Sequence, residues 1–375
     1  MNILIAVDSF KGSLSSKEIS NVIEKSILDT LPNSKIKKIP IADGGEGTIE
    51  SLIEGLNGKI IHKKVHGPLM EDVNGYYGIL PESKTAIIEM AICSGLPLVP
   101  SKLRNPLSTT TYGVGELILD ALDKGCNEFI VGIGGSATND AGIGMCSALG
   151  FRFLDEFNNE LSPIGENLIK VHHIDISEVD SRIKNTKFLI ACDVDNPLFG
   201  KLGAAYTYGP QKGANPSQVK ALDNGLKHFS RIVKNILNID KANLPGAGAA
   251  GGLGYGFSVF LNGELKPGID IVFEKINFNE NLKDIDLIIT GEGKIDFQSL
   301  MGKAISGVAK AAKAKNIPVI AIGGCVTNDA YKLYDYGITS IFSITNKPMS
   351  IEEAMDSENT KLAIYHTIKA IFKLK

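Results

Sequence analysis

The feature that most constrains this chain is a repeated grammar. Short β-rich runs, most of them continuous in Val, Ile, Leu and Phe, lead into polar, glycine-rich loops, and helical patterns lie between them. Strand-like runs span Ile3 to Val7, Ile36 to Ala42, Lys59 to Val65, Thr85 to Ala91, Glu128 to Ile133, Lys187 to Cys192, Asp286 to Thr290, Pro318 to Ile322 and Ser340 to Ile344. Continuous rather than alternating apolar character is expected of strands covered on both faces. Helical patterns fall near residues 16–30, 46–56, 108–124, 138–149, 217–237, 302–315 and 360–373. Such alternation predicts an α/β architecture with a mainly parallel sheet. The segment Pro68 to Pro81 alternates Val73, Tyr76-Tyr77 and Ile79 around a turn at Gly75 instead, and reads as an antiparallel addition, hence a mixed sheet.

No linker marks a domain boundary. The first strand-helix units and the last ones share a style, and the middle carries the glycine-rich loops. The economical reading is two α/β domains: a discontinuous one over residues 1–65 and 283–375, with 66–282 inserted into it.

Ligands of open α/β sheets bind beyond the carboxyl ends of the strands, so the loops there deserve the closest reading. The first is Asp8-Ser9-Phe10-Lys11-Gly12-Ser13, where a carboxylate, a hydroxyl and an ammonium precede a helix. That set suits a phosphate or carboxylate, or else simple helix capping. Asp43-Gly44-Gly45-Glu46-Gly47-Thr48 offers two carboxylates and paired glycines, fit for a metal or for hydroxyls, or for a tight turn. Only four of the 39 basic residues are Arg, and one of them, Arg104, stands just before Ser108-Thr109-Thr110-Thr111. Arg beside a helix start recognises anions well.

Gly132-Ile133-Gly134-Gly135-Ser136-Ala137-Thr138 follows a strand and enters a helix, the setting of a phosphate-cradling loop. It also matches G-x-G-x-x-A with Asp155 downstream, which permits a dinucleotide-dependent oxidoreductase. Asp193-Val194-Asp195-Asn196 and Gly209-Pro210-Gln211-Lys212-Gly213 place an acidic loop and a cationic loop close in sequence. Phosphoryl transfer needs both, one to orient a hydroxyl and one to neutralise spreading charge. Gly291-Glu292-Gly293-Lys294-Ile295-Asp296 repeats the theme.

Other classes fare worse. The net charge of -3 excludes a generally basic nucleic-acid-coating protein. The uncharged run 242–263 holds too many Gly, Asn and Pro to span a membrane. Five scattered Cys without a CxxC pair argue against structural zinc and fit a reducing cytoplasm.

Taken in order, DSFKGS (8–13), ADGGEGT (42–48), NPLSTTTYGVGELI (105–118), GIGGSATNDAGIG (132–144), CDVDNPL (192–198), GPQKGA (209–214), GAAGGLGYG (248–256) and TGEGKIDFQSL (290–300) resemble the bacterial glycerate kinase family. The resemblance runs from residue 3 to about residue 325. It implies two α/β domains, one of them Rossmann-like, with the active site in a cleft between them. It also implies ATP-dependent phosphorylation of D-glycerate with Mg²⁺, 2-phosphoglycerate being the favoured product, by a cytoplasmic monomer or homodimer. Asp193 is then the first choice for the base and Asp8 the second, with Lys11 and Arg104 toward the substrate carboxylate or the transferred phosphate. Ser9, Asp43, Gly44, Gly45 and Asp296 fall to substrate, and Gly134, Gly135, Ser136, Thr138, Lys212 and Glu292 to the nucleotide. Asp193 and Glu46 are the metal candidates. A non-catalytic sugar-acid sensor on the same fold is the remaining alternative.

Overall fold

A computed structural model describes residues 1–39, 41–42, 47–300 and 303–373. Asp43, Gly44, Gly45 and Glu46 therefore lie outside the described residues. The chain forms two compact units, Met1–Asp43 with Glu50–Leu56 and Pro267–Lys375, and Gly44–Ile49 with Asn57–Lys266.

The first unit is built on five parallel strands: β1 (Asn2–Val7), β2 (Lys35–Lys38), β11 (Leu287–Ile295), β12 (Val319–Val326) and β13 (Ser340–Ser343), in the order β13-β12-β11-β1-β2. Ile3 through Val7 are all fully buried, which is why this strand reads as unbroken apolar sequence. Helix Ser16–Leu28 begins with a capping box, Ser15 and Glu18 each bonding the other's backbone N–H. Its Ile19, Ile23 and Ile27 recur on one face and share a core with Ile364, Ile368 and Phe372 of helix Ser357–Phe372. The chain leaves β1 toward β2 on one side, while β11 leads to β12 and β13 on the other. The gap between β1 and β11 is thus the topological switch point.

The second unit holds a six-stranded sheet of β3 (Lys59–His66), β4 (Asp72–Leu80), β5 (Thr85–Glu89), β6 (Glu128–Gly132), β9 (Lys187–Ala191) and β10 (Glu264–Lys266), in the order β10-β9-β6-β5-β4-β3. β3, β4 and β5 pair antiparallel, whereas β5, β6, β9 and β10 pair parallel, so the sheet is mixed as expected. β7 (Arg152–Leu154) and β8 (His173–Asp175) form a separate antiparallel pair. Gly75 is not the turn the sequence suggested. It sits inside β4 opposite Lys63, where a side chain would press on Val65, and the chain reverses over residues 67–71 instead. No helix among the described residues is long and apolar enough to cross a membrane.

Candidate active site

In the first unit the ends of β1 and β11 are stitched together by the Asp8 N–H, which donates to the Gly291 carbonyl at 2.9 Å. Asp8 itself is buried, and its Oδ1 accepts the Ser9 N–H at 2.6 Å. Phe10 and Leu14 exchange two backbone hydrogen bonds, pinching off a loop that leaves Lys11 and Gly12 exposed. β11, still paired with β12, runs on beyond the end of β1 and so carries Glu292 and Lys294 past that strand's end. Glu292 is buried and accepts the Ser299 hydroxyl, whose oxygen in turn accepts the Asp296 N–H at 3.1 Å. Lys294 pairs with Asp296 at 2.9 Å, and that bond holds the lysine above its ordinary pKa.

Asp8, Ser9, Lys11, Glu292, Lys294 and Lys303 are all among the residues lining one cavity of about 1030 Å³ within this unit. Its position beyond the strand ends at the switch point is the one that open α/β sheets use for ligands. Four of the residues expected from the sequence, Asp8, Ser9, Lys11 and Glu292, are therefore brought together, and Asp296 stands behind them on Lys294.

In the second unit the loops after β6 and β9 are neighbours because those strands are in register, Gly132 opposite Ala191. Gly134 and Gly135 are exposed at the tip of the first loop. Ser136 and Thr138 are not. Both are buried, and so is Lys212, whose Nζ donates to Ser136 Oγ and to the Thr138 carbonyl, each at 2.7 Å. Burial draws this ammonium down to about 7, against the opposing pull of Asp140. The Asp140 carboxylate is fully buried and accepts from Thr111 N–H, Thr111 Oγ1, Gly142 N–H and Gly144 N–H. Burial raises its pKa, and these four donors hold it back.

The sequence pattern 138–149 becomes a helix only from Ile143, because Ala141 and Gly142 turn through φ of 52° and 78° to deliver those N–H groups. Gly213, at φ 97°, lies where a Cβ would overlap the Arg104 carbonyl, so the Lys212 loop packs on the Arg104 backbone. Arg104 is half-buried, with Nε 3.4 Å from the Val99 carbonyl. Asp193 is exposed at the end of β9, while Asn196 beside it anchors the loop by donating to the Leu202 carbonyl at 2.7 Å and accepting from Tyr208 Oη at 2.6 Å.

Asp155 belongs to a different story. Its carboxylate accepts the N–H groups of Phe157 and Asn159 and the Asn159 side-chain amide, which closes a turn. That leaves the dinucleotide pattern without its acidic partner. Three groups went unselected by the sequence reading. Glu89 ends β5 and accepts the Ile49 N–H at 3.0 Å, Asp140 organises the glycine loop, and buried Asn139 has side-chain atoms with no protein partner among the described residues. Glu89 had a readable signal, a carboxylate closing an apolar strand.

The model of the glycerate kinase family matches residues 3–374. The chain belongs to the glycerate kinase family. A protein named glycerate kinase from Bacillus cereus (strain ATCC 10987 / NRS 248) is 48% identical, over 100% of this chain and 98% of its own length. One named glycerate 2-kinase from Escherichia coli (strain K12) is 47% identical, over 94% of this chain and 93% of its own. A solved structure described as a glycerate kinase 2 from Salmonella typhimurium LT2 superposes with a TM-score of 0.92 at 42% identity, covering 100% of this chain and 98% of that one. Members of the glycerate kinase family are kinases, and this chain carries the family's match from end to end.

Proposed function

We propose that this protein transfers the γ-phosphoryl group of ATP to D-glycerate, giving ADP and 2-phosphoglycerate. The observation that carries the reading is the full-length similarity to proteins named glycerate kinase and glycerate 2-kinase. It is joined by a cavity whose polar end offers carboxylates and lysines at strand termini. An oxygen of the glycerate hydroxyl attacks the γ-phosphorus, the bond to the ADP oxygen breaks, and the hydroxyl proton passes to a carboxylate. Asp193, exposed and carried on a loop braced by Asn196, takes that proton. Lys11 and the exposed backbone of Gly134 and Gly135 meet phosphate oxygens, and Arg104 the glycerate carboxylate.

Mg²⁺ in kinases takes one or two carboxylates and completes its shell with phosphate oxygens and water. Among the described residues there is no cluster of three or more protein ligands, and the pair Asp8 and Glu292 fits the sparser donor set. Bound there, the ion supplies charge neutralisation on the phosphates.

A coupled ADP-release assay with Mg·ATP and D-glycerate, with the product resolved by phosphorus NMR, tests the reading. Glycerate-dependent ADP release with the phosphorus signal at the 2-position is expected. Absence of glycerate-dependent turnover would overturn it, and a signal at the 3-position would overturn the regiochemistry alone.

A further inference from the structure

The second unit holds a cavity of about 890 Å³ that the proposed reaction does not use. It lies where β9 and β10 begin, at the opposite end of β9 from Asp193. Three segments wall it, residues 184–188, 241–245 and 262–265. Its size suits a small organic ligand.

The lining is cationic above an apolar floor. Lys184, Lys187 and Lys241 supply three ammonium groups against one carboxylate, Glu264, and Lys266 already holds that carboxylate at 3.2 Å. Lys184 is exposed and makes no ion pair among the described residues. Lys187 meets Glu128 at 3.1 Å and Lys241 donates to the Ser258 carbonyl at 2.7 Å, and an ammonium with one bond made keeps two further N–H groups. The side-chain amides of Asn185 and Asn262 add neutral donors. Donors from three segments outnumber what the two oxygens of a carboxylate need, and they suit a phosphate. Buried Phe188, with Leu244, Pro245 and Leu265, would cover an apolar body attached to it.

One wall of this cavity also backs a loop described above. The Ala242 carbonyl accepts the Leu198 N–H at 2.9 Å, and the Gly248 N–H donates to the Asn196 carbonyl at 2.9 Å. Between them Gly246 adopts φ 84°, and a Cβ there would press on the Cys192 sulfur and the Val194 carbonyl. Segment 241–248 is thus fastened to the loop that carries Asp193.

We infer that this cavity is a second ligand site, for a small phosphate-bearing organic anion, whose occupancy is felt at Asp193 through segment 241–248. The site itself is independent of the kinase reading, and only its effect on turnover rests on that reading.

Pyridoxal 5′-phosphate is a fitting probe. Its phosphate seeks clustered ammonium groups, and its aldehyde condenses with a neighbouring lysine amine, releasing water. Borohydride then fixes the imine, and peptide mass mapping locates the adduct. At substoichiometric probe, label should collect on Lys184 and Lys241 ahead of exposed Lys59 and Lys84, which line neither cavity, and inorganic tripolyphosphate should protect. Lys184→Glu should raise the tripolyphosphate concentration that half-protects Lys241 about tenfold. Relative to each protein's unlabelled rate, labelling should lower kcat about fivefold more in the wild type than in Lys184→Glu, because the adduct wedges against residues 241–245. Label on lysines of the first unit weighs equally on both proteins.

Label scattered over the exposed lysines, without protection by tripolyphosphate, would overturn the site. Label confined to the cavity with equal losses of kcat in both proteins would overturn the link to Asp193 and leave the site standing. If the unlabelled wild type shows no glycerate-dependent turnover, the kinase reading fails and the link to turnover with it, while the labelling pattern still decides the site.

Discussion

The two units answer the same sequence grammar in opposite ways. Each presents glycine, carboxylate, lysine and hydroxyl groups at the ends of parallel strands. In the first unit Asp8, Lys11 and Glu292 line an open cavity. In the second, Asp140, Lys212 and Ser136 turn inward and satisfy one another or the surrounding backbone, and the carbonyl of buried Thr138 accepts from Lys212. The cause is what packs on the loop. Gly251 lies so close to the Thr138 carbonyl and Asn139 that the 246–252 segment seals the loop after β6 from behind. Over the first unit's loop Met355 covers Gly12 and Thr360 meets Ser13, yet Lys11 stays exposed. A glycine-rich strand end is thus either a site or the backing of one. Among the second unit's residues singled out from the sequence, Gly134, Gly135 and Asp193 stay exposed and Arg104 half-buried.

That division is broken most directly by neutralising one carboxylate in each unit. Asp193→Asn should cut kcat by about 10²- to 10⁴-fold, the usual worth of a positioned base, with KM for ATP little changed. Asp8→Asn should act chiefly on the nucleotide, raising KM for Mg·ATP about tenfold. Steady-state kinetics with each substrate varied in turn checks both. Identical profiles for the two variants would mean that the two loops share one task.

Most of the scaffold was legible because burial on both faces writes itself as unbroken apolar sequence, as in Ile3 to Val7 and Phe188 to Ala191. The candidate loops were legible for a similar reason, since polar residues at strand ends interrupt that pattern. Which way a loop's side chains turn was not legible. Lys212 finds Ser136 across 76 residues of sequence, and no local pattern records a contact of that range. A lysine normally reads as solvated, and the burial that overrides this belongs to the tertiary fold. Gly75 failed for a related reason, because glycine serves a close approach within a strand as well as a turn.

Sealing of the second unit's loop depends on backbone that only glycine allows. Gly251 adopts φ 69°, and a Cβ there would overlap the Thr138 carbonyl. Gly251→Ala should therefore lower stability by about 3 kcal/mol, combining left-handed strain with displaced backbone. Because the loop carrying Gly134 and Gly135 rests on it, activity should fall as well. Urea denaturation gives the first quantity. A variant as stable as the wild type would mean that the segment does not hold the loop.

The smallest effect is the most specific to the comparison, because it reads out burial of a single ammonium. Lys212 is drawn from its ordinary value down to about 7, chiefly by burial, with the Asp140 charge opposing. An ammonium whose folded-state pKa lies below its unfolded one binds fewer protons when folded across the interval between the two. Stability therefore rises with pH through that window, and the full penalty is present only below it. Lys212→Met removes this one titration and leaves the others in place. The stability of the wild type relative to the variant should thus grow by about 2 kcal/mol between about pH 7.5 and about pH 9.5, as read by urea denaturation at each pH. A difference that stays constant with pH would mean that the Lys212 ammonium is not held in the interior, and the contrast between the units would then rest on their carboxylates alone.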